Sequence, residues 1–342
     1  MRKMMKLSLV VLFSFLFAGF LAFFYLFMPL GVQDETVQIV IERGTSLSAV
    51  ADSLRKHDVV TSRNALLVWL KLSGTAQKIQ AGKFRFLEGE GVLSASKKLL
   101  DAEPIEKRVT IQEGLTIEQT AGKCAAEMNI DSAEFVRLCN DTDFIRGTGI
   151  QAGSLEGYLF PDTYLFPEEC GESLIIRKMV SRFHEAYATV EGDSNIMENY
   201  NAHQIVTLAS IVEKEATLVS ERGRIAGVFH NRLRLGYPLG ADPTVRYIFR
   251  KFDGPLLVSE LNSDSPYNTR RFKGLPPGPI CSPGLAAIQV SAKPDSTDEL
   301  YFVARWDGTG AHDFSKTNAE HERKKLEIRR QNELRKKQKG LK

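Results

Sequence analysis

Residues 208–216 read LASIVEKEA, an apolar run that abruptly carries Glu213, Lys214 and Glu215. On a helix turning 100° per residue, Glu215 lies within about 60° of Leu208, Ile211 and Val212. Glu213 points about 160° away from Glu215, to the side of Val206, Ala209 and Ala216. Both faces are more apolar than an exposed carboxylate requires, and Glu215 has the bulkier neighbours. A carboxyl withdrawn from water has its pKa raised and holds a proton near neutrality, which is the chemistry of a general acid. The competing reading is structural: one or both glutamates pair with a cation such as Lys214, Arg222, Arg224 or Arg232.

Other chemistries lack their motifs. There is no GxGxxG or P-loop for phosphates, no GxSxG for a serine nucleophile and no HExxH; the six histidines are scattered without metal-ligand spacing. An enzyme built on this chain is therefore expected to use carboxylates, with no cofactor and no metal. Three further segments have the composition of a cleft wall. LEGYLFPDTYLFP (155–167) packs aromatics and prolines around Glu156, Tyr158, Asp162 and Thr163. VFHNRLRLGYPLGADPTVRY (228–247) presents Asn231 and Arg232, then a Gly236 stop, then Asp242, Pro243 and Thr244. SPYNTRRFKGLPPGPICSPG (265–284) supplies Tyr267, Asn268 and Thr269 before a proline-stiffened turn. Aromatic faces beside Asn, Thr, Asp and Arg suit sugar rings, although singly each residue is equally a core or turn residue.

The elements that must position these residues belong to an α+β chain. Apolar periodicity predicts helices over 117–128, 133–138, 173–190, 202–216 and 220–235, and strands over 108–111 and 300–304. The stretch 254–284, rich in Gly, Pro, Ser and Asn, reads as a long functional loop. Ahead of this domain, Val37, Ile39 and Ile41 alternate as in a strand. Gly44 turns the chain, and Thr45 or Ser46 can cap a helix with Leu47, Val50, Ala51 and Leu54 on one side. A second helix (64–72), a strand in AGKFRFLEGEG and a helix over 94–100 complete a small βααβ module at 36–103. Part of it recurs seventy residues on: IERGTSLSAVADSL (41–54) aligns with IQEGLTIEQTAGKC (111–124), matching Ile41 with Ile111, Gly44 with Gly114 and Ala51 with Ala121.

The chain has 342 residues, enough for two domains, with 43% apolar and 25% charged residues and a net charge of +3 that calls for no nucleic acid. Arg2, Lys3 and Lys6 precede residues 7–28, which carry no charge and as a helix would span roughly 33 Å. The basic n-region 1–6 is expected in the cytoplasm, 7–28 as a single-pass membrane anchor, and the remainder in an extracytoplasmic space. A cleaved signal peptide would have a shorter apolar run and an A-x-A-like site. The four cysteines show no CxxC and read as unpaired and buried. The basic stretch 326–342 reads as a solvated helical tail.

The motifs EGYLFPDTY, ASIVEKEA, NRLRLGYPLGADPTV, YNTRRFKGLPPGPICSPG and YFVARWDGTGAHDFSKTNAEH resemble, in order over residues 104–325, those of the endolytic murein transglycosylase, or YceG-like, family. The resemblance implies a single-pass protein of the inner (cytoplasmic) membrane, with a LysM-like module and a lysozyme-like catalytic domain on the periplasmic side. It implies internal cleavage of the β-1,4 bond between N-acetylmuramic acid and N-acetylglucosamine, leaving a 1,6-anhydro end. It also implies a catalytic glutamate in EKE, aligned at Glu215, and work beside penicillin-binding synthases. Tyr158, Asn231, Thr244, Tyr267, Asn268 and Thr269 are then expected to line the glycan groove. A hydrolase on the same substrate and a non-catalytic wall-binding scaffold are the alternatives.

Overall fold

The computed structural model describes residues 36–42, 44–79, 82–100, 106–167, 170–191 and 200–338, with isolated positions between 13 and 27. The expected anchor, 7–28, falls mostly outside these. Phe13, Leu16, Phe17, Phe20, Leu21, Phe24 and Tyr25 within it are helical and exposed, and among the described residues no helix is long and apolar enough to cross a membrane. The chain divides into two compact units, Met1–Glu106 and Lys107–Lys342.

In the first unit, β1 (Thr36–Ile41) pairs antiparallel with β2 (Gly82–Leu87), from Thr36 opposite Leu87 to Ile41 opposite Gly82. Period-two alternation puts Ile39, Ile41, Phe84 and Phe86 on one buried face. Against that face lie α1 (Leu47–Lys56), α2 (Arg63–Leu72) and α3 (Val92–Lys98), which contribute Val50, Leu54, Leu66, Leu70, Val92 and Ala95. Ser46 caps α1 and Ser62 caps α2, each side-chain oxygen accepting a backbone N–H three residues on. The order βααβ with a closing helix is the one expected.

The second unit is helix-rich with two small sheets. β3 (Glu106–Thr110) pairs with β4 (Thr163–Pro167), and β5 (Tyr301–Ala304) pairs antiparallel with β6 (His312–Ser315). The helices in order are α4 (Ile117–Glu127), α5 (Ser132–Cys139), α6 (Thr142–Arg146), α7 (Glu172–Glu191), α8 (Ala202–Glu215), α9 (Arg222–Leu235), α10 (Asp242–Ile248), α11 (Val258–Leu261), α12 (Leu285–Ala292) and α13 (Asn318–Gln338). The internal repeat is structurally real. Gly44 and Gly114 both adopt positive φ, +82° and +78°, which turns the chain from strand towards helix without a Cβ penalty. Ser46 and Thr116 then cap their helices, and Ile41, Ile111, Ala51 and Ala121 are all buried.

Helix α8 organises the second unit. Residues 205–212 are buried without interruption, so the helix is apolar all round because protein surrounds it. Its Val206 and Ala209 side joins a core with α4, α5, α7 and α12. Its Leu208, Ile211 and Val212 side joins a second core with Ile225, Ala226 and Phe229 of α9 and with Leu239, Ala241, Ile280 and Phe314. Of the basic stretch 326–342, residues 326–338 continue α13, anchored by Ile328, which is 6% exposed, and 339–342 lie outside the described residues. Cys124, Cys139 and Cys281 are free and buried, and Cys170 is free and partly exposed.

Candidate active site

Glu213 and Glu215 end the buried helix on opposite faces, and the structure gives them different surroundings. Both oxygens of Glu213 are engaged. Oε1 accepts from Arg222 Nη2 at 2.6 Å and Oε2 accepts from the Gly284 N–H at 3.1 Å. The guanidinium and carboxylate of this pair are 9% and 7% exposed, a buried bridge from α8 to the start of α9 and the cap of α12. Burial pushes the Glu213 carboxyl up, and Arg222 and the Gly284 N–H pull it back. Lys214 turns outward, its Nζ donating to Gly114 O at 3.2 Å and lying over the Phe252 ring.

Glu215 is half-buried, at the last position of α8. Its pKa is pushed up to about 7, first by burial and then by the Asp242 carboxylate; Arg232, Arg270 and the Asp242 backbone N–H act in the other direction. The helix end adds to the same effect, since orphan carbonyls at a C-terminus disfavour a negative charge. Near neutrality the acid and the base forms of Glu215 are therefore both substantially populated. That is the requirement for a group that must first give a proton and then take one.

A polar frame, exposed at Asp242 and Arg270 and buried at Thr269, holds this surrounding in place. Asp242 opens α10, with Pro243 beside it in the first turn, where a missing N–H costs nothing. Asp242 Oδ1 accepts from Arg270 Nη1 at 2.5 Å. Arg232 donates from Nε to Leu300 O at 2.6 Å and from Nη1 to Leu239 O at 2.5 Å. The loop between is pinned from the 265–284 segment: the Gly240 N–H donates to Thr269 O at 2.8 Å, and the Ala241 N–H to the Thr269 hydroxyl at 3.1 Å.

The six residues expected to line a groove are placed as follows. Thr244, Thr269 and Asn268 are brought together, but are fully buried and bond inward. The two threonine hydroxyls are 2.9 Å apart, and the Asn268 amide donates to Leu261 O and Ser263 O. Asn231 likewise donates its amide to Thr297 O and Glu299 O. Tyr158 is 3% exposed with its hydroxyl 2.7 Å from His203 Nδ1. His203 lies in the first turn of α8, about 18 Å along the helix from Glu215 at 1.5 Å per residue, so Tyr158 packs at the opposite end of that helix. Tyr267 keeps a partly exposed ring, 5.2 Å from that of Tyr247. These side chains frame the site more than they open onto it, because Asn and Thr in a long loop are the residues that satisfy its buried backbone.

Sequence reasoning offered Arg222 and Arg232 as cation partners of the glutamates, and the structure sets Arg222 against Glu213 and Arg232 near Glu215. The same reasoning named Asp242 and Glu156 only as parts of segments and passed over Arg270. The Asp-Pro pair at a helix start was the available signal for Asp242. Glu156 is 4% exposed, with Oε2 receiving the Tyr247 hydroxyl at 3.3 Å and the Ile117 N–H at 3.5 Å, while Oε1 is buried without a partner. Burial and the nearby Glu118 raise it to about 8, so it is neutral at pH 7.

Fold and site together define a mixed α+β protein whose central buried helix ends in a proton-holding carboxyl. Residues 39–327 match the family model described as the YceG-like family, and the chain belongs to that family. It is similar to a protein of Bacillus subtilis (strain 168) named endolytic murein transglycosylase, at 34% identity over 307 residues, covering 85% of this chain and 84% of that one. A protein of the same name from Streptococcus pneumoniae serotype 2 (strain D39 / NCTC 7466) is 27% identical over 332 residues; the match covers 85% of this chain and 59% of that longer relative. A crystal structure of a YceG-like protein from Listeria monocytogenes superposes with a TM-score of 0.59 at 28% identity, covering 85% of this chain and 99% of that one.

Proposed function

We propose that the chain is an endolytic peptidoglycan lytic transglycosylase that cleaves the β-1,4 bond between N-acetylmuramic acid and N-acetylglucosamine and leaves a 1,6-anhydromuramic acid end. The observation that carries this reading, beside family membership, is the Glu215 carboxyl poised near pH 7. Protonated Glu215 gives its proton to the leaving glycosidic oxygen. The resulting carboxylate takes the proton of the muramic acid C6 hydroxyl as that oxygen attacks C1 of the same sugar. The nucleophile is intramolecular, so positioning it supplies much of the rate. Glu213, with both oxygens occupied, is structural in this scheme.

The first unit is proposed to be a LysM-like glycan-binding module and the second a lysozyme-like catalytic unit. Residues 7–28 are proposed to anchor the chain in the cytoplasmic membrane with both units outside, a reading supported by the exposed apolar helical residues within that run. Trimming or ending new strands there would place the chain beside penicillin-binding synthases.

Glu215→Gln is expected to lower glycan cleavage at least about a hundredfold while leaving the melting temperature unchanged. Retained cleavage, with loss instead in Glu213→Gln at preserved stability, would reverse the assignment. Asp242, a second carboxylate beside Glu215, favours hydrolysis as the other reading, since hydrolases pair two carboxyls. Product mass decides: reducing ends one water heavier than the anhydro product mean a hydrolase.

A further inference from the structure

Outside the Glu215 site, the second unit has a cavity of about 380 Å³ between β5 and α13, walled by Val303, Trp306, Ile328, Arg329, Asn332 and Glu333, with Lys325 at its edge. Trp306 is 78% exposed and has a φ of +55°, a left-handed conformation that bulky residues rarely adopt. An exposed indole held in a strained backbone calls for a purpose, and its turn is built to keep it there. The Arg305 N–H donates to Ala311 O at 2.9 Å, closing the turn, and Asp307 Oδ1 accepts from the Thr309 N–H at 2.9 Å and from its hydroxyl.

This turn is fastened to the Glu215 site. Gly310, at φ +75°, approaches so closely that a Cβ there would lie 2.7 Å from Thr217 Cγ2, two residues past Glu215. Glu221, just before α9, accepts the His312 N–H at 3.1 Å and lies 2.8 Å from His312 Nδ1. Arg232, which acts on the Glu215 carboxyl, holds Leu300 O at the foot of the hairpin.

We infer that the cavity under Trp306 is a second glycan subsite, which takes a pyranose of the same murein strand a few sugars from the bond being cut. This rests on the reading of the Glu215 site as a glycan-cleaving centre. The indole offers a flat apolar face to a sugar ring, Val303 and Ile328 extend it, and the Asn332 amide and Glu333 carboxylate reach hydroxyls. Arg329 and Lys325 put positive charge on the α13 side, matched to the carboxylates that muramic acid carries on its lactyl and peptide substituents; Lys325 shares its ammonium with Glu322 at 2.8 Å. The basic end of the chain thereby becomes part of the substrate path.

The test uses the full chain and purified uncross-linked murein strands. Trp306→Asn removes the indole and keeps a residue that tolerates positive φ. It is expected to raise KM for long strands about tenfold, with kcat within about twofold. In the Glu215→Gln background, where turnover is at least about a hundredfold slower, long strands are expected to change the tryptophan emission, and adding Trp306→Asn is expected to remove the larger part of that change, with Trp69 of the first unit left as the second indole. Arg329→Ala is expected to raise KM more on stem-bearing strands than on strands stripped of peptide by an amidase. An unchanged KM together with an undiminished strand-induced emission change in the Trp306 variant overturns the subsite even if Glu215→Gln abolishes cleavage, and equal effects on the two strand types overturn the carboxylate pairing. Persistent cleavage by Glu215→Gln is a separate result and removes the underlying reading instead.

Discussion

Two glutamates one residue apart have opposite fates because a helix sends them in opposite directions. Glu213 meets Arg222 and a backbone N–H, whereas Glu215 meets another carboxylate and the negative end of its own helix. The pH dependence follows from the sign of the second. Glu215 must be protonated to start the reaction, so kcat/KM is expected to be high below pH 7 and to fall as pH rises through about 7. Asp242→Asn removes one cause of the elevated value and releases Arg270, which pulls the same way. The falling limb is then expected to move to lower pH; a pH–rate profile of the variant that moves upward would contradict this account.

Glu213 belongs to the joints between helices. It ties the end of α8 to the start of α9 through Arg222 and to the cap of α12 through Gly284, where a Cβ would already collide with Glu113. Without the Glu213 charge, Arg222 keeps only the more exposed Glu113 carboxylate, 3.4 Å away, and a buried charge that loses its closer partner is destabilising. Glu213→Gln is therefore expected to cost about 3–5 kcal/mol of folding stability, read as a lowered urea midpoint with unchanged slope. Activity remaining in the folded fraction would then be near normal, which separates a structural from a chemical loss. Helices α4, α5, α7, α8 and α9 were legible because all but the eight-residue α5 are long enough to show a full apolar stripe, and most, α5 included, carry a cap. Helices α10, α11 and α12 and strands β4 and β6 were not. They run four to eight residues, and which residues face inward is set by the neighbours they meet.

The second unit as a whole folds around an acid it must keep neutral. Glu156, at about 8 in the folded chain against an ordinary 4.5, stays protonated when the unfolded chain has already lost its proton. The folded state thus binds the extra proton between those values, and stability falls as pH rises from about 4.5 to about 8. Glu156→Gln, which copies the neutral acid, is expected to flatten the loss seen between pH 5 and pH 8 by a few kcal/mol in urea unfolding of the whole chain. A variant with the same pH slope as the wild type would show that Glu156 ionises freely.

Residue type and period alone determined the apolar N-terminal run, the βααβ order of the first unit, the strand–glycine–helix repeat and the placing of two carboxylates on a helix with no exposed face. These are local: each depends on side-chain spacing along one segment, which folding preserves. Which carboxylate meets a cation, which threonines turn inward, and that Trp306 stands over a cavity near the end of α8 were decided only when segments tens of residues apart were packed together. Glu215 with Asp242, Glu213 with Gly284 and Gly310 with Thr217 are such contacts. A pKa is set by what surrounds the group in space, and spacing along the chain does not carry that information.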